Sequence, residues 1–391
     1  MQNQLILIVI VFSFLIVFSY FTLIASYCYA WLKSKPPILN IGPHYTFVSI
    51  VIAARNEEEN IENCITTVLN QSYPSQNFEI IIVDDNSEDG TNKKIQQFCN
   101  KYKNITLITL DKKSNLSGKK NAIYTAIQSA KGELIITTDA DCIVQENWIQ
   151  TIVSYYQQTD AKMIVAPVCL KNEKRIFEKM QSLEFMALIF SGGASLYFNK
   201  AIMCNGANLA YQKSIFNEVN GFKGIDNQPS GDDVLLMYKI KKKYPTGVLF
   251  LKHQNAIVYT NPQYKLNEFI NQRKRWASKN TKLLNTETKL VSGIVYFANI
   301  SLLILGIMCL FFYKIEVFHI KFYNFCFILF GIKCFIDFLL LFLATGFFNK
   351  KFFLIYFLPE QILYIVYISI TGILGNIGSY EWKGRKQKIN E

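Results

Sequence analysis

The chain has 391 residues, 51% of them hydrophobic and only 18% charged, too long for one simple core and too apolar for an ordinary soluble protein, so two or three regions with membrane segments are expected. A formal net charge of +12 admits nucleic acid, an anionic membrane or an anionic substrate, but no zinc-finger, aromatic RNA-binding or basic-zipper pattern is present, and nucleic acid is not expected as a partner. The nine cysteines are scattered without a Cys-x-x-Cys pair, several of them (Cys309, Cys326, Cys334) in apolar runs, which reads as reduced buried thiols rather than a disulfide framework or zinc site.

From Gln2 to Leu32 no side chain is charged, and the run is long enough to cross a hydrocarbon core of about 30 Å. Its length and the missing basic n-region favour a membrane helix over residues 1–32 rather than a cleaved signal peptide. Lys33 and Lys35 follow at once, and the positive-inside bias then places residues 33–287 in the cytoplasm. Residues 47–53 form an apolar run of the kind buried in a parallel sheet. Asn56 reads as the N-cap of a helix with Glu57, Glu58 and Glu59 in its first turn and Ile61, Cys64, Ile65, Val68 and Leu69 as its stripe. A second strand over 79–83 runs into Asp84-Asp85-Asn86-Ser87, and Gly90-Thr91 precede another helix. Further strands are expected at 105–110 and 133–138, separated by a helix over 118–130. Such alternation implies an α/β fold with a mostly parallel sheet and helices on both faces. Ligands in such sheets bind beyond the carboxyl ends of the strands, where 54–57, 84–87 and 139–141 fall.

The stretch Thr137-Thr138-Asp139-Ala140-Asp141 carries the chemistry. If strand alternation continues through it, Asp139 and Asp141 point to one side. Carboxylates held that close repel unless a cation lies between them, and a hard divalent ion with oxygen ligands, Mg or Mn, is the natural occupant. Taken alone, the pair reads first as a solvated strand end, and the metal reading depends on the rest of the chain.

Residues 174–198 form a helix that is apolar over much of its circumference, either a core helix or one lying on a membrane interface. Cys204 to Asn208 is a glycine turn, Gly231-Asp232-Asp233 precedes a helix over 234–241, and 265–282 is a basic helical segment containing Gln272-Arg273-Lys274-Arg275-Trp276. Residues 290–313 can span a bilayer. So can 322–348, apart from Lys333 and Asp337, whose i,i+4 spacing allows a structural or a functional pair. A third apolar stretch, 352–380, is interrupted by Pro359-Glu360. The membrane region 288–380 thus holds two or three helices and ends in a basic tail, 381–391. If all three stretches span, the tail falls outside against the positive-inside bias, and a re-entrant or interfacial 352–380 removes the conflict.

Taken together, Ala54-Arg55-Asn56-Glu57, Val83-Asp84-Asp85-Asn86-Ser87, Gly118-Lys119, Asp139-Ala140-Asp141, Gly231-Asp232-Asp233 and Gln272-Arg273-Lys274-Arg275-Trp276 resemble the membrane-embedded branch of the family 2 glycosyltransferases. That branch includes cellulose, hyaluronan, chitin and poly-N-acetylglucosamine synthases and ceramide glucosyltransferases, and the resemblance covers about Val48 to Trp276. It implies a Rossmann-like GT-A fold, a nucleotide-sugar donor (UDP-linked), a divalent metal (Mg or Mn), and inversion at the anomeric carbon. By resemblance, Glu57, Asp84 and Asp85 contact the base and ribose, whose N–H and hydroxyls are donors that suit carboxylates. Lys119, near a helix start, receives the diphosphate. Asp139 and Asp141 hold the metal, with Asp139 also at the donor. Asp233 stands at the position of the general base. Family members often carry Glu where this chain has Asp232, which leaves the part of Asp232 beside the acceptor and diphosphate open. Gln272, Arg275 and Trp276 share a helical face, and the resemblance assigns the indole to the acceptor sugar and the other two to the diphosphate and its surroundings. Cys204 to Asn208 sits where the family builds its acceptor pocket. Arg273, Lys274, Lys279 and Lys282 also read as a cluster drawn to anionic lipid. The expected partners are a nucleotide sugar, a lipid or glycan acceptor and the cell (inner) membrane, with the catalytic domain cytoplasmic. A hydrolase or other nucleotide-using transferase, and a nonenzymatic scaffold with a degenerate domain, are the rival readings. A scaffold would not need Asp139, Asp141, Asp233 and Trp276 together.

Overall fold

A computed structural model describes residues 2–40, 42, 46–110, 118–225, 231–278, 285–317, 319–375, 379–382 and 385–388. The chain forms two compact units, one of Met1–Lys33, Lys174–Ser191 and Gln263–Glu391, the other of Ser34–Glu173 and Gly192–Pro262. Residues 174–191 and 263–287 thus group with the apolar helices.

The first helix of the chain is α1 (Gln2–Lys33). The α/β unit follows with β1 (Val48–Ala54), α2 (Ile61–Leu69), β2 (Phe78–Asp84), α3 (Thr91–Lys101), β3 (Ile105–Thr109), α4 (Gly118–Ser129), β4 (Leu134–Asp139), α5 (Trp148–Gln158), β5 (Met163–Val165) and β6 (Val168–Leu170). Helix α6 (Ile176–Tyr197) comes next, then β7 (Leu209–Gln212), α7 (Lys213–Glu218), α8 (Asp232–Lys243), β8 (Val248–Phe250) and β9 (Val258–Thr260). Apolar runs without alternation become strands covered on both faces: Val48, Ile50, Val51 and Ile52 of β1 are buried, as is every residue of β2. Helix α4 lays Ala122, Ile123, Ala126 and Ile127 on a core shared with Val51, Ile81, Val83 and Ile135, to which α8 adds Leu236, Met237 and Ile240.

The seven-stranded sheet has the order β3-β2-β1-β4-β7-β5-β8. The first four strands are parallel, as the sequence pattern implies, and β8 is parallel to β5. Strand β7 is antiparallel to both its neighbours. At four residues it is too short to carry a periodic signature. Pairing of Ala54 with Asp84 and of Ala53 with Asp139 brings the carboxyl ends of β1, β2 and β4 level.

Two local expectations are corrected. Helix α2 starts at Ile61 with Asn60 as its N-cap, not at Asn56. Asn56 instead has φ +50°, a left-handed turn that Asn tolerates better than most residues, so Glu57 to Glu59 lie before the helix. Asp139 is the last residue of β4 and Asp141 follows in a turn closed by Cys142 N–H donating to Asp139 O at 3.0 Å. Strand alternation therefore does not set the side of Asp141.

Helix α6 is a core helix over much of its length, with Gln181, Ser182, Leu183, Glu184, Met186 and Phe190 all buried. The other unit continues with α9 (Leu266–Ser278), α10 (Thr286–Phe312), the strand pair β10 (Glu316–Val317) and β11 (Ile320–Lys321), α11 (Phe322–Phe347) and, after a 3-10 turn over Lys351–Tyr356, α12 (Phe357–Leu374). Strands β12 (Ser379–Trp382) and β13 (Arg385–Lys388) pair antiparallel within the basic tail. Among the described residues four stretches are long and apolar enough to cross a membrane: Ile6–Lys33, Thr286–Phe312, Phe322–Phe347 and Lys351–Leu374. Lys333 and Asp337 do pair, at 3.0 Å. Tyr20 O–H donates to Asp337 Oδ1 at 2.6 Å, Lys333 donates to Gln361 Oε1, and Gln361 Nε2 donates to Glu360 Oε2 at 2.9 Å. The two charges thus sit in a satisfied network built by α1, α11 and α12, as an apolar surrounding demands.

The contacts of α12 bear on the topology conflict. Trp31 packs on Phe347, so α11 finishes beside the C-terminal end of α1. The chain then turns back: Lys351 lies against Gly346, and Phe357 packs on Phe338. At its other end Gly372 meets Tyr296 in the first half of α10, and Gly375 meets Ala277 of α9. Residues 351–375 therefore enter and leave at the end of the bundle where α1 terminates.

Candidate functional site

The first two loops at the carboxyl edge are tied to each other. Arg55 Nη1 donates to the carbonyls of Asp85 (2.7 Å) and Asn86 (3.0 Å), Asn56 N–H to Ser87 Oγ (3.0 Å), and Glu88 N–H to Asn56 Oδ1 (2.9 Å). The buried Asp84 carboxylate accepts from Ser87 N–H at 3.0 Å and Asn92 Nδ2 at 2.9 Å, so it shapes the loop that carries Asp85. Glu57 is buried, its N–H donating to Thr91 Oγ1 at 2.8 Å and its Oε2 accepting from Asn60 Nδ2 at 2.9 Å. Two braced acids, Glu57 and Asp85, therefore flank the ends of β1 and β2.

The charged centre lies beside them at the end of β4. Lys119, in the first turn of α4, places Nζ 2.5 Å from Asp139 Oδ1. Burial by itself would lower the Lys119 pKa, but Asp139 first, then Asp232 and Asp233, hold it well above its ordinary value, so the ammonium stays protonated. Gly231, with φ +88°, turns the chain into α8 and places both aspartates in its first turn, where acids suit the helix dipole. Asp233 accepts from Gly206 N–H (Oδ2, 3.1 Å) and Val234 N–H (Oδ1, 2.8 Å). A Cβ on Gly206 would lie 3.6 Å from Asp233 Oδ2 and 3.7 Å from Lys119 Nζ. Gly206 is in turn fixed by Thr137 Oγ1, which donates to its carbonyl at 2.9 Å. The turn from Cys204 to Asn208 thus joins the β4 acids to the α8 acids. Asn208 anchors it from below: its Nδ2 donates to Pro167 O and Ala256 O, both at 2.7 Å, and its Oδ1 accepts from Trp148 Nε1 at 3.0 Å. From sequence, Cys204 to Asn208 is only an acceptor-pocket turn by resemblance, with no role for Gly206 or Asn208 singly, because a glycine turn gives no hint of what it touches.

Asp141 stands near the same centre. Cys142 Sγ donates to Asp141 Oδ1 and Cys64 Sγ to Asp139 O, each at 3.5 Å. Burial first, then Asp141 and Asp139, push both thiols up, so they remain neutral. Among the described residues no three His, Cys, Asp or Glu side chains group as a metal cage. Two carboxylates, one ending β4 and one in the turn that follows, give an all-oxygen, incomplete donor set, which suits a hard divalent ion completed by phosphate oxygens and water.

Gln272, Arg275 and Trp276 belong to α9, in the unit of apolar helices. Trp276 lies 6.1 Å from Phe185 between ring centroids and 4.3 Å from the Arg273 guanidinium, while Gln272 Oε1 accepts from Arg273 Nη1 at 2.6 Å. Arg273, read from sequence as part of a lipid-facing cluster, is instead buried and paired with Glu184. Lys279 and Lys282 lie outside the described residues.

Residues 49–219 match the model of glycosyl transferase family 2. The chain carries a family 2 glycosyltransferase domain. The domain is 31% identical over 118 residues to glycosyltransferase AglE of Haloferax volcanii, covering 30% of this chain and 38% of that protein. It is 28% identical over 189 residues to poly-beta-1,6-N-acetyl-D-glucosamine synthase of Staphylococcus epidermidis, covering 46% of this chain and 44% of that protein. The matches thus span less than half the length of these curated relatives. The mannosyltransferase PcManGT of Pyrobaculum calidifontis, solved with GDP-Man and Mn²⁺, shares the fold at a TM-score of 0.59 and 15% identity over 95% of this chain and 99% of its own. The glycosyltransferase domain has the GT-A fold.

Proposed function

We propose that this chain is an inverting glycosyltransferase that moves a sugar from a UDP-linked donor to a glycan or lipid acceptor at a membrane, with its α/β domain on the cytoplasmic side. The observation that carries the reading is the convergence of Lys119, Asp139 and Asp233 around Gly206 at the carboxyl edge of the sheet. Glu57 and Asp85 accept hydrogen bonds from the base and ribose. Lys119 gives up Asp139 as donor binds and turns its ammonium to the diphosphate. A divalent ion, when held by Asp139 and Asp141, offsets the charge that develops on the departing nucleotide. Asp233, oriented by two backbone N–H groups, accepts the proton of the acceptor hydroxyl as that oxygen attacks the anomeric carbon from the face opposite the nucleotide. Asp232 adds negative charge that keeps Lys119 protonated. Arg275 and Gln272 address the diphosphate and its surroundings, and Trp276 stacks on the acceptor. Support for nucleotide-sugar chemistry comes from the matched relatives and from PcManGT, which was solved with both a nucleotide sugar and a divalent ion.

The test is nucleotide release by the detergent-solubilised chain from UDP-glucose, UDP-N-acetylglucosamine and GDP-mannose, with and without Mg²⁺ or Mn²⁺. Release that needs a divalent ion and rises with diacylglycerol micelles or N,N′-diacetylchitobiose is expected. Sugar released only as the free hydrolysed sugar would reject transfer.

A further inference from the structure

Helix α9 carries five consecutive residues, Gln272 to Trp276, of which the second, Arg273, is the most buried at 6% exposure. A buried guanidinium is costly unless each donor is matched. Here Nε donates to both Glu184 oxygens at 3.1 Å, Nη2 to Glu184 Oε2 at 2.5 Å, and Nη1 to Gln272 Oε1 at 2.6 Å. Tyr367 O–H closes the set by donating to Glu184 Oε1. The guanidinium plane lies between two rings, 4.3 Å from the centroid of Phe269 and 4.3 Å from that of Trp276. Helix α9 itself is seated on α12, with Phe269 against Tyr367 at 5.6 Å between centroids and Ala277 where a Cβ on Gly375 would lie 2.4 Å from its own. Only glycine admits that approach.

We infer that Arg273 is the positioning residue of the acceptor platform, clamped by Glu184 and Tyr367 so that it holds the Trp276 indole by its face and the Gln272 amide by its oxygen. The inference rests on the reading of Gln272 and Trp276 as acceptor and diphosphate residues. With Oε1 held by Arg273, the Gln272 amide has a fixed orientation, and its Nε2 is the donor that suits an acceptor hydroxyl or a phosphate oxygen. Lysine cannot replace arginine here, since an ammonium is neither planar nor forked and would lose either the bidentate pair or the stack.

The test uses the full chain labelled with 5-fluorotryptophan, whose four indoles include Trp276 and the buried Trp148. In the double variant Glu184→Met with Arg273→Met, which replaces the ion pair by apolar side chains of similar length, the Trp276 fluorine resonance is expected to shift and broaden while that of Trp148 stays. Arg273→Lys should move it part of the way. Acceptor KM, measured by nucleotide release with diacylglycerol micelles or N,N′-diacetylchitobiose, should rise by roughly tenfold or more, and by more than donor KM, which is reached only through Gln272. An unmoved Trp276 resonance overturns the inference. Should the double variant fail to fold, Tyr367→Phe, which deletes one hydroxyl, must still move that resonance, and the inference falls if it does not. Trp276→Ala separates the two layers. If it leaves acceptor KM at the wild-type value, the acceptor reading fails and the inference with it. If it raises acceptor KM and the double variant does not, the positioning role alone is lost.

Discussion

Replacing Lys119 with Met removes the ammonium that holds Asp139, and the effect is best read in Mn²⁺ binding rather than in activity. The two groups are 2.5 Å apart and partly exposed, a charge-assisted hydrogen bond worth about 1.5–3 kcal/mol. An ion that takes Asp139 must first displace this ammonium, so the pair weakens apparent Mn²⁺ affinity by roughly 10–100-fold at about 1.4 kcal/mol per tenfold. At a Mn²⁺ concentration equal to the wild-type dissociation constant, mass action stabilises the wild type by about 0.4 kcal/mol and the variant by about 1.4–2.7 kcal/mol. For a unit of roughly 150–250 residues that difference is about 2–9 °C in unfolding temperature. The assay is thermal unfolding of EDTA-stripped protein in detergent, titrated with Mn²⁺. An equal Mn²⁺ shift in wild type and Lys119→Met would refute the competition. So would a shift that survives Asp139→Ala with Asp141→Ala.

Three further outcomes are expected. Asn208→Leu removes the acceptor of the Trp148 indole N–H and the side-chain donor to the Ala256 and Pro167 carbonyls, of which Pro167 keeps Val258 N–H, so it should cost about 2–4 kcal/mol; a chemical-denaturation midpoint near wild type would count against Asn208 as the anchor of the Gly206 turn. Lys252, whose Nζ donates to Ser34 O at 2.7 Å, has its pKa lowered by burial to about 8. Between that value and the unfolded value of about 10.4 the unfolded state binds the extra proton, so stability should rise with pH from about 8 to 10, and Lys252→Met should flatten that rise in unfolding scans. The paths of α11 and α12 predict that Lys35→Cys and Lys388→Cys react with an impermeant maleimide from the same face of sealed vesicles; labelling from opposite faces would mean that residues 351–375 span.

The strand-helix alternation from β1 to β4 was legible because unbroken apolar runs such as Ile80 to Val83 can be satisfied in few ways, and the three acidic loops follow from where parallel strands end. The rest of the sheet was not. Strand β7 is four residues of ordinary composition, antiparallel because of what it meets rather than what it contains. Asn56 has the residue type of a helix cap and the backbone of a left-handed turn, since its side chain bonds to the neighbouring loop at Glu88 instead of to a helix. Within the site, sequence singled out Lys119, Asp139 and Asp233 as separate motifs. What it lacked was the link between them: Gly206, named only as part of the Cys204 to Asn208 turn and with no side chain to suggest chemistry, stands between the acid of α8 and the ammonium of α4. Arg273 shows the opposite failure: a basic residue among basic residues reads as solvated or lipid-facing, and only the partner Glu184, 89 positions away, makes it a buried clamp.

The most direct measurement of the central claim compares wild type with Asp233→Asn, following donor binding and sugar transfer on the same purified preparation. Asn keeps an oxygen to accept one of the two backbone N–H bonds but cannot take a proton. The account predicts donor affinity within about twofold of wild type and transfer lowered by about 10²–10⁴-fold. Equal transfer rates for the two proteins would contradict it.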